Sequence, residues 1–213
     1  MERSPCMKIL LATANAHKLR EISEIMADTG FTATFRSMHD AGFTGDIAET
    51  GETFEENALC KARAVHEFLR DEGSLADAIV LADDSGLEID ALGGEPGIYS
   101  ARYLGEDTPY TEKNRILLER MKDVPEEQRT ARFVCAVAAV FPDGREEVLR
   151  ETFEGRIAYE SAGTNGFGYD PILYLPERHC TSAELSPEEK NKISHRGKGF
   201  RAMATLLKDT SRH

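Results

Sequence analysis

Asp83 and Asp84 close the apolar run from Ala78 to Ala82 and lead directly into Ser85-Gly86. A chain that ends a buried strand this way exposes acidic side chains at the strand's end. Adjacent carboxylates repel each other, so a fold that keeps them side by side holds a divalent cation or shifts one pKa. The same residue types also build ordinary strand-to-turn junctions, and alone the string favours that plainer reading. What weighs against it is the polar, glycine-rich chemistry found elsewhere in the chain.

Three further segments have residue types suited to chemistry. Thr13-Ala14-Asn15-Ala16-His17-Lys18 follows an apolar run and precedes a helical pattern. There, backbone donors, a hydroxyl and an ammonium can meet phosphate oxygens, although the Gly-x-x-x-x-Gly-Lys-Ser/Thr pattern of a P-loop is absent. Gly163 to Pro171 combines three glycines with Phe167 and Tyr169, flat apolar faces for a base, and with Asp170. Lys190 to Arg196 places Lys190, His195 and Arg196 near two helix starts, whose unpaired N–H groups suit an anion or a base carbonyl. A fourth stretch, Glu49 to Asn57, is rich in carboxylates. Most of these belong to a solvated helix start, and Lys61 beyond them reads equally well as a surface charge.

The elements that must position these residues alternate along the chain. Met7 to Ala12 predicts a strand, and Leu19, Ile22, Ile25 and Met26 recur at helical spacing. Phe31 to Phe35 predicts a second strand. Thr53 with Glu56 three residues on is a capping box for a helix that Gly73 closes. Leu87 to Ala91 continues the Asp83-Asp84 strand past a kink at Ser85-Gly86. A helix is expected over Tyr110 to Met121. Phe133 to Phe141 and Val148 to Phe153 flank Pro142-Asp143-Gly144 as a hairpin. Ile172 to Leu175 is a short strand, Ser186-Pro187 starts a helix, and a last helix runs from Ser194 or His195 through Leu207. Parallel-type units combined with a hairpin predict an α/β fold with a mixed central sheet flanked by helices.

With 213 residues the chain suits one domain over residues 1–213, with Met1 to Cys6 as a short disordered extension. A formal net charge of −12 argues against a protein that coats nucleic acid, which needs a basic footprint. The four cysteines form no Cys-x-x-Cys pair and imply neither a zinc site nor a disulfide framework. No apolar run has membrane-spanning length, and the chain reads as cytoplasmic with no membrane partner.

Together, LATANAHKLREI, ETGETFEENALCKA, LADDSGLEIDALGGEPGIYSARY, GTNGFGYDPI and EEKNKISHRGKGF resemble the inosine triphosphate pyrophosphatase family, including its bacterial dITP/XTP branch. The resemblance runs from Met7 to Leu207. It implies a two-lobed, elongated α/β fold with a nucleotide cleft, a homodimer, Mg2+ as cofactor and a purine nucleoside triphosphate as substrate. It also implies that Thr13, Ala14, Asn15, Ala16, His17 and Lys18 meet the triphosphate, that Asp84 is proton acceptor and Mg2+ ligand, and that Ser85 lies beside the substrate. Phe167, Gly168, Tyr169 and Asp170 would surround base and sugar, with Lys190, His195 and Arg196 completing the site. Some relatives read Glu-Glu-Thr-Gly where this chain has Ala48-Glu49-Thr50-Gly51, so only Glu49 carries over as a second metal-associated carboxylate. Asn165 stands where several relatives have glycine and should be tolerated in a turn, since Asn accepts left-handed dihedrals better than other residues.

The implied reaction is hydrolysis between the α and β phosphates of dITP, ITP or XTP, releasing pyrophosphate and a monophosphate. It would cleanse the nucleotide pool. Such cleavage needs in-line water, charge neutralisation by groups such as Lys18 and Lys190, and a proton acceptor. Selectivity would come from a donor, His195 or Arg196, facing the carbonyl at purine position 6, where adenine presents its own donor. The nearest rival is a Maf-like pyrophosphatase acting on other nucleotides. A sensor without turnover is more distant.

Overall fold

The computed structural model describes residues 7–13, 15–70 and 75–210. The extension expected over Met1 to Cys6, the candidate site residue Ala14 and the helix-closing Gly73 lie outside the described residues, as do the side chains of Ala16 and His17. Among the described residues there are seven strands and five α-helices. The strands are β1 (Met7–Leu11), β2 (Ala33–Ser37), β3 (Ile79–Ile89), β4 (Thr130–Val140), β5 (Glu146–Ile157), β6 (Leu173–Leu175) and β7 (Cys180–Thr181). The helices are α1 (Ala16–Asp28), α2 (Phe54–Leu69), α3 (Tyr110–Arg120), α4 (Pro187–Ile193) and α5 (His195–Thr210).

The strands hydrogen-bond in the order β2-β1-β3-β4-β5-β6-β7. β1 is parallel to β2 and β3, whereas β6 is antiparallel to β5 and β7. The sheet is therefore mixed, and with its helices the fold is α/β. The chain divides into two compact units, one holding residues up to Asp84, Cys135–Glu151 and the chain from Arg196, the other Ser85–Val134 and Thr152–His195.

In the first unit, the Leu19, Ile22, Ile25 and Met26 stripe of α1 packs with Ile9 and Leu11 of β1 and with Phe200, Met203 and Leu207 of α5. A helical stripe at this spacing is how α1 buries one face while its other face stays polar. α2 starts at an N-cap, Thr53, whose hydroxyl accepts from Glu56 N at 3.1 Å. The reciprocal half of the expected capping box shifts by one residue, because Glu56 Oε2 accepts from Glu52 N at 2.7 Å. The Pro142-Asp143-Gly144 turn forms as expected: Phe141 N donates to Arg145 O at 2.9 Å, and Gly144 takes a φ of +84°.

In the second unit, Leu87, Ile89, Leu117, Phe133, Ile157, Ile172 and Leu173 form the core. α4 carries a complete capping box between Ser186 and Glu189, with Pro187 at its first turn. Asn165 does not need the left-handed tolerance of its residue type, since the positive φ values in its loop belong to Gly163, Gly166 and Gly168. Its side chain anchors the loop, Nδ2 donating to Leu185 O at 3.0 Å.

The largest correction concerns β3. The strand continues past Asp83-Asp84 to Leu87 as expected, but with no break at Ser85-Gly86, running from Ile79 to Ile89. There is no turn at this point, and successive side chains of an extended strand point to opposite faces. The two carboxylates are therefore not side by side.

Candidate active site

In the first unit, the polar segment after β1 caps α1. Asn15 Oδ1 accepts from Lys18 N at 3.2 Å, and Thr13 Oγ1 accepts from Asn15 N at 3.1 Å. The start of a helix carries partial positive charge from its unsatisfied N–H groups. Lys18 projects from that start to Asp83, its Nζ lying 2.9 Å from Asp83 Oδ2.

Asp83 is also approached by Arg196 Nε at 3.5 Å, and Arg196 Nη1 donates to Glu21 Oε2 at 2.8 Å. Arg196 is only 2 % exposed. Burial alone would disfavour the Asp83 carboxylate, but Lys18, Arg196 and Lys61 outweigh it and hold the carboxyl far below its ordinary value. For Arg196 the balance is similar. Burial opposes its charge, and Glu21 and Asp83 more than restore it.

Asp84 faces a different set of partners. Lys61 Nζ lies 2.7 Å from Asp84 Oδ1 and 2.6 Å from Glu49 Oε1, so one ammonium sits between two carboxylates. Burial raises the Asp84 carboxyl above its ordinary value, with Glu49 adding to the rise and Lys61 opposing it. Burial also opposes the Lys61 charge, yet Asp84 and Glu49 together push that ammonium's pKa up. Sequence alone left Lys61 undecided between surface and site. Its spacing from Asn57 and Phe54 on one helical face was the available signal, since that face of α2 is buried.

Among the described residues, no cluster of three or more His, Cys, Asp or Glu side chains is able to hold a metal. Glu49 and Asp84 nonetheless converge within hydrogen-bonding reach of one cation, Lys61 Nζ. Two carboxylates of this kind fit Mg2+, which commonly takes one or two protein carboxylates and completes its shell with water and substrate phosphates. Asp83 does not belong to this pair, because it is turned to Lys18 and Arg196.

In the second unit, Ser85 follows in β3 and is partly buried. Asp170 is the hub of the glycine-rich loop. Its Oδ1 accepts from Ser182 Oγ at 2.8 Å, and its Oδ2 accepts from Phe167 N at 2.9 Å and from Lys190 Nζ at 2.5 Å. Gly166 is required at this turn: its φ is +73°, and a Cβ there would lie 2.2 Å from Asp170 Oδ2. Phe167 is 45 % exposed, with Lys190 Nζ 5.4 Å from its ring centre.

Tyr169 takes a different place from Phe167. It is 3 % exposed, stacks edge-on to Tyr110, and donates its hydroxyl to Ser100 O at 2.7 Å. Of the two aromatic faces suggested by the sequence, only that of Phe167 is open to a ligand. Gly168, between them, has a φ of +68°. His195 is buried and stacks on Phe133, their ring centres 5.0 Å apart. The structure thus brings Thr13, Asn15, Lys18, Glu49, Asp84 and Arg196 into one unit and Phe167, Gly168, Tyr169, Asp170, Lys190 and His195 into the other.

An α/β chain with this sheet and these polar loops finds its class by comparison. The Ham1 family profile matches residues 9–206, and the chain belongs to the Ham1 family. It is 44 % identical over 201 residues to the dITP/XTP pyrophosphatase of Clostridium perfringens, covering 94 % of this chain and 97 % of that one. It is 49 % identical over 193 residues to the dITP/XTP pyrophosphatase of Geobacillus kaustophilus, covering 91 % and 90 % of the two chains. Among solved structures, the Ham1 protein of Staphylococcus aureus superposes with a TM-score of 0.83 at 38 % identity, over 95 % of this chain and 99 % of that one.

Proposed function

We propose that this protein hydrolyses the non-standard purine nucleoside triphosphates dITP, ITP and XTP to the monophosphate and pyrophosphate, and so cleanses the nucleotide pool. The observation that carries the reading is the meeting of Glu49, Lys61 and Asp84 beside the Lys18-bearing helix start, in a chain similar to dITP/XTP pyrophosphatases over almost its whole length. The two units act as one functional domain. Thr13 to Lys18 are assigned to the triphosphate and Phe167 to Asp170 to the base and sugar.

Thr13 to Lys18 receive the phosphates through backbone N–H groups, the Thr13 hydroxyl and the Lys18 ammonium. Mg2+, held by Asp84 and Glu49, supplies charge neutralisation and a more acidic water when bound. Asp84 accepts the proton of the attacking water. Lys61 balances the charge of the two carboxylates and offsets that of the phosphate. Ser85 lies beside the substrate.

In the second unit, Phe167 stacks on the purine and Asp170 fixes the loop that presents it. Lys190, already matched by Asp170, belongs with the base side rather than with the phosphates. The donor for the carbonyl at position 6 is His195 or Arg196. Adenine presents a donor there and leaves an unfavourable pair, at a cost of about 1–3 kcal/mol. Arg196 has a second duty, which is to fix Asp83.

Among the described residues no helix is long and apolar enough to cross a membrane. We place the protein in the cytoplasm as a homodimer, with no nucleic-acid partner. Pyrophosphate release measured with Mg2+ across a nucleotide panel tests the whole reading.

A further inference from the structure

Asn57 is fully buried, 0 % exposed, on the first turns of α2, and the mechanism above gives it no task. Its Oδ1 accepts from Gly51 N at 2.8 Å, and its Nδ2 lies 3.4 Å from Asp84 Oδ2. One amide thus spans from the loop that carries Glu49, two residues before Gly51, to the carboxylate of Asp84 on β3. The loop is pressed onto the helix so closely that a Cβ at Gly51 would lie 2.7 Å from Glu56 Cβ and 2.8 Å from both Asn57 N and Asn57 Oδ1.

We propose that Asn57 is a positioning residue that sets the spacing of the Glu49 and Asp84 carboxylates, so that both face a single divalent cation. The inference rests on the pyrophosphatase reading for its consequence, but its physical basis is local. An amide is the side chain suited to the task, because it accepts from a backbone N–H with one end and donates to a carboxylate with the other. An aspartate in its place would keep the first contact and turn the second into a repulsion. Groups that orient a metal's carboxylate ligands in this way change affinity or activity by about 10–100-fold when removed.

The test compares the unaltered protein with Asn57→Ala in two measurements. The first is Mn2+ binding, by electron paramagnetic resonance, to the protein loaded with a non-hydrolysable ITP analogue. The second is kcat and KM for ITP. The expected result is Mn2+ binding weaker by about 10-fold or more and a kcat lower by a similar factor, with KM for ITP changed much less. Should Asn57→Ala not fold, Gly51→Ala serves instead, since it lifts the same loop from an intact Asn57 and should weaken Mn2+ binding in the same way. A variant that loses thermal stability but keeps the Mn2+ affinity and kcat of the unaltered protein overturns the proposal and leaves Asn57 a purely structural residue. If the unaltered protein releases no pyrophosphate, the functional reading fails by itself, and the Mn2+ titration repeated without nucleotide still decides the role of Asn57.

Discussion

Asp83 and Asp84 are consecutive in β3, yet each answers to its own lysine: Asp83 Oδ2 lies 2.9 Å from Lys18 Nζ, and Asp84 Oδ1 lies 2.7 Å from Lys61 Nζ. The alternation of an extended strand sends one carboxylate to a structural charge cluster and the other to Glu49. Asn substitutions should therefore separate the two. Asp84→Asn keeps its fold and loses turnover by about 10²–10⁴-fold, the range for a lost proton acceptor. Near-normal kcat at saturating Mg2+ would reject that role for Asp84.

Asp83 should reveal itself in acid. Its carboxyl is held far below the ordinary value, so folding gains stability from it at neutral pH. That gain is fully present above the unfolded value, about pH 4, and is lost as pH falls toward the folded value. Urea midpoints of the unaltered protein and Asp83→Asn should differ most near neutrality and converge below about pH 4. A difference that stays constant with pH would show that charge is not what Asp83 contributes.

Arg196 is buried between Glu21 and Asp83, and Arg196→Ala leaves both carboxylates without that partner. Breaking a buried ion pair from one side costs about 3–5 kcal/mol. Chemical denaturation should show a loss of this size, together with a smaller preference for ITP over ATP. An unfolding midpoint that does not move would remove the structural duty assigned to Arg196, and an unchanged ITP to ATP ratio would leave the base carbonyl to His195.

Much of this arrangement was legible in residue order. Apolar spacing located α1, the Thr53 cap located the start of α2, and the Ser186-Pro187 start of α4 formed as its residue types predicted. The course of β3 was legible only in part: its continuation over Leu87 was expected, but Asp-Asp-Ser-Gly has turn composition, and only neighbouring strands can hold such a string extended. The same gap hid the opposite orientation of Asp83 and Asp84. Nor does local sequence reveal that Tyr169 is committed to Ser100, which lies far away in the chain, or that Lys61 meets Glu49, which depends on the course of the loop before α2. β7, with two residues, is too short to leave a pattern.

Phe167 offers the exposed ring of the glycine-rich loop. Stacking of a base on an aromatic side chain contributes about 1–3 kcal/mol, so Phe167→Ala should raise KM for ITP by about 10-fold with little change in kcat. The corresponding Tyr169→Phe change removes only the hydroxyl bond to Ser100 and should cost stability rather than substrate affinity. A KM for ITP that does not change in Phe167→Ala would show that the base does not lie against this ring.

The central claim is tested most directly by measuring pyrophosphate release, with Mg2+, from ITP, dITP, XTP, GTP, ATP and the pyrimidine triphosphates at equal concentration. The account predicts kcat/KM for ITP, dITP and XTP above that for ATP by at least about 10-fold, the scale of one unsatisfied buried polar contact, with pyrophosphate and monophosphate as the products. Release of single phosphates, or a pyrimidine or canonical nucleotide as the preferred substrate, would contradict it.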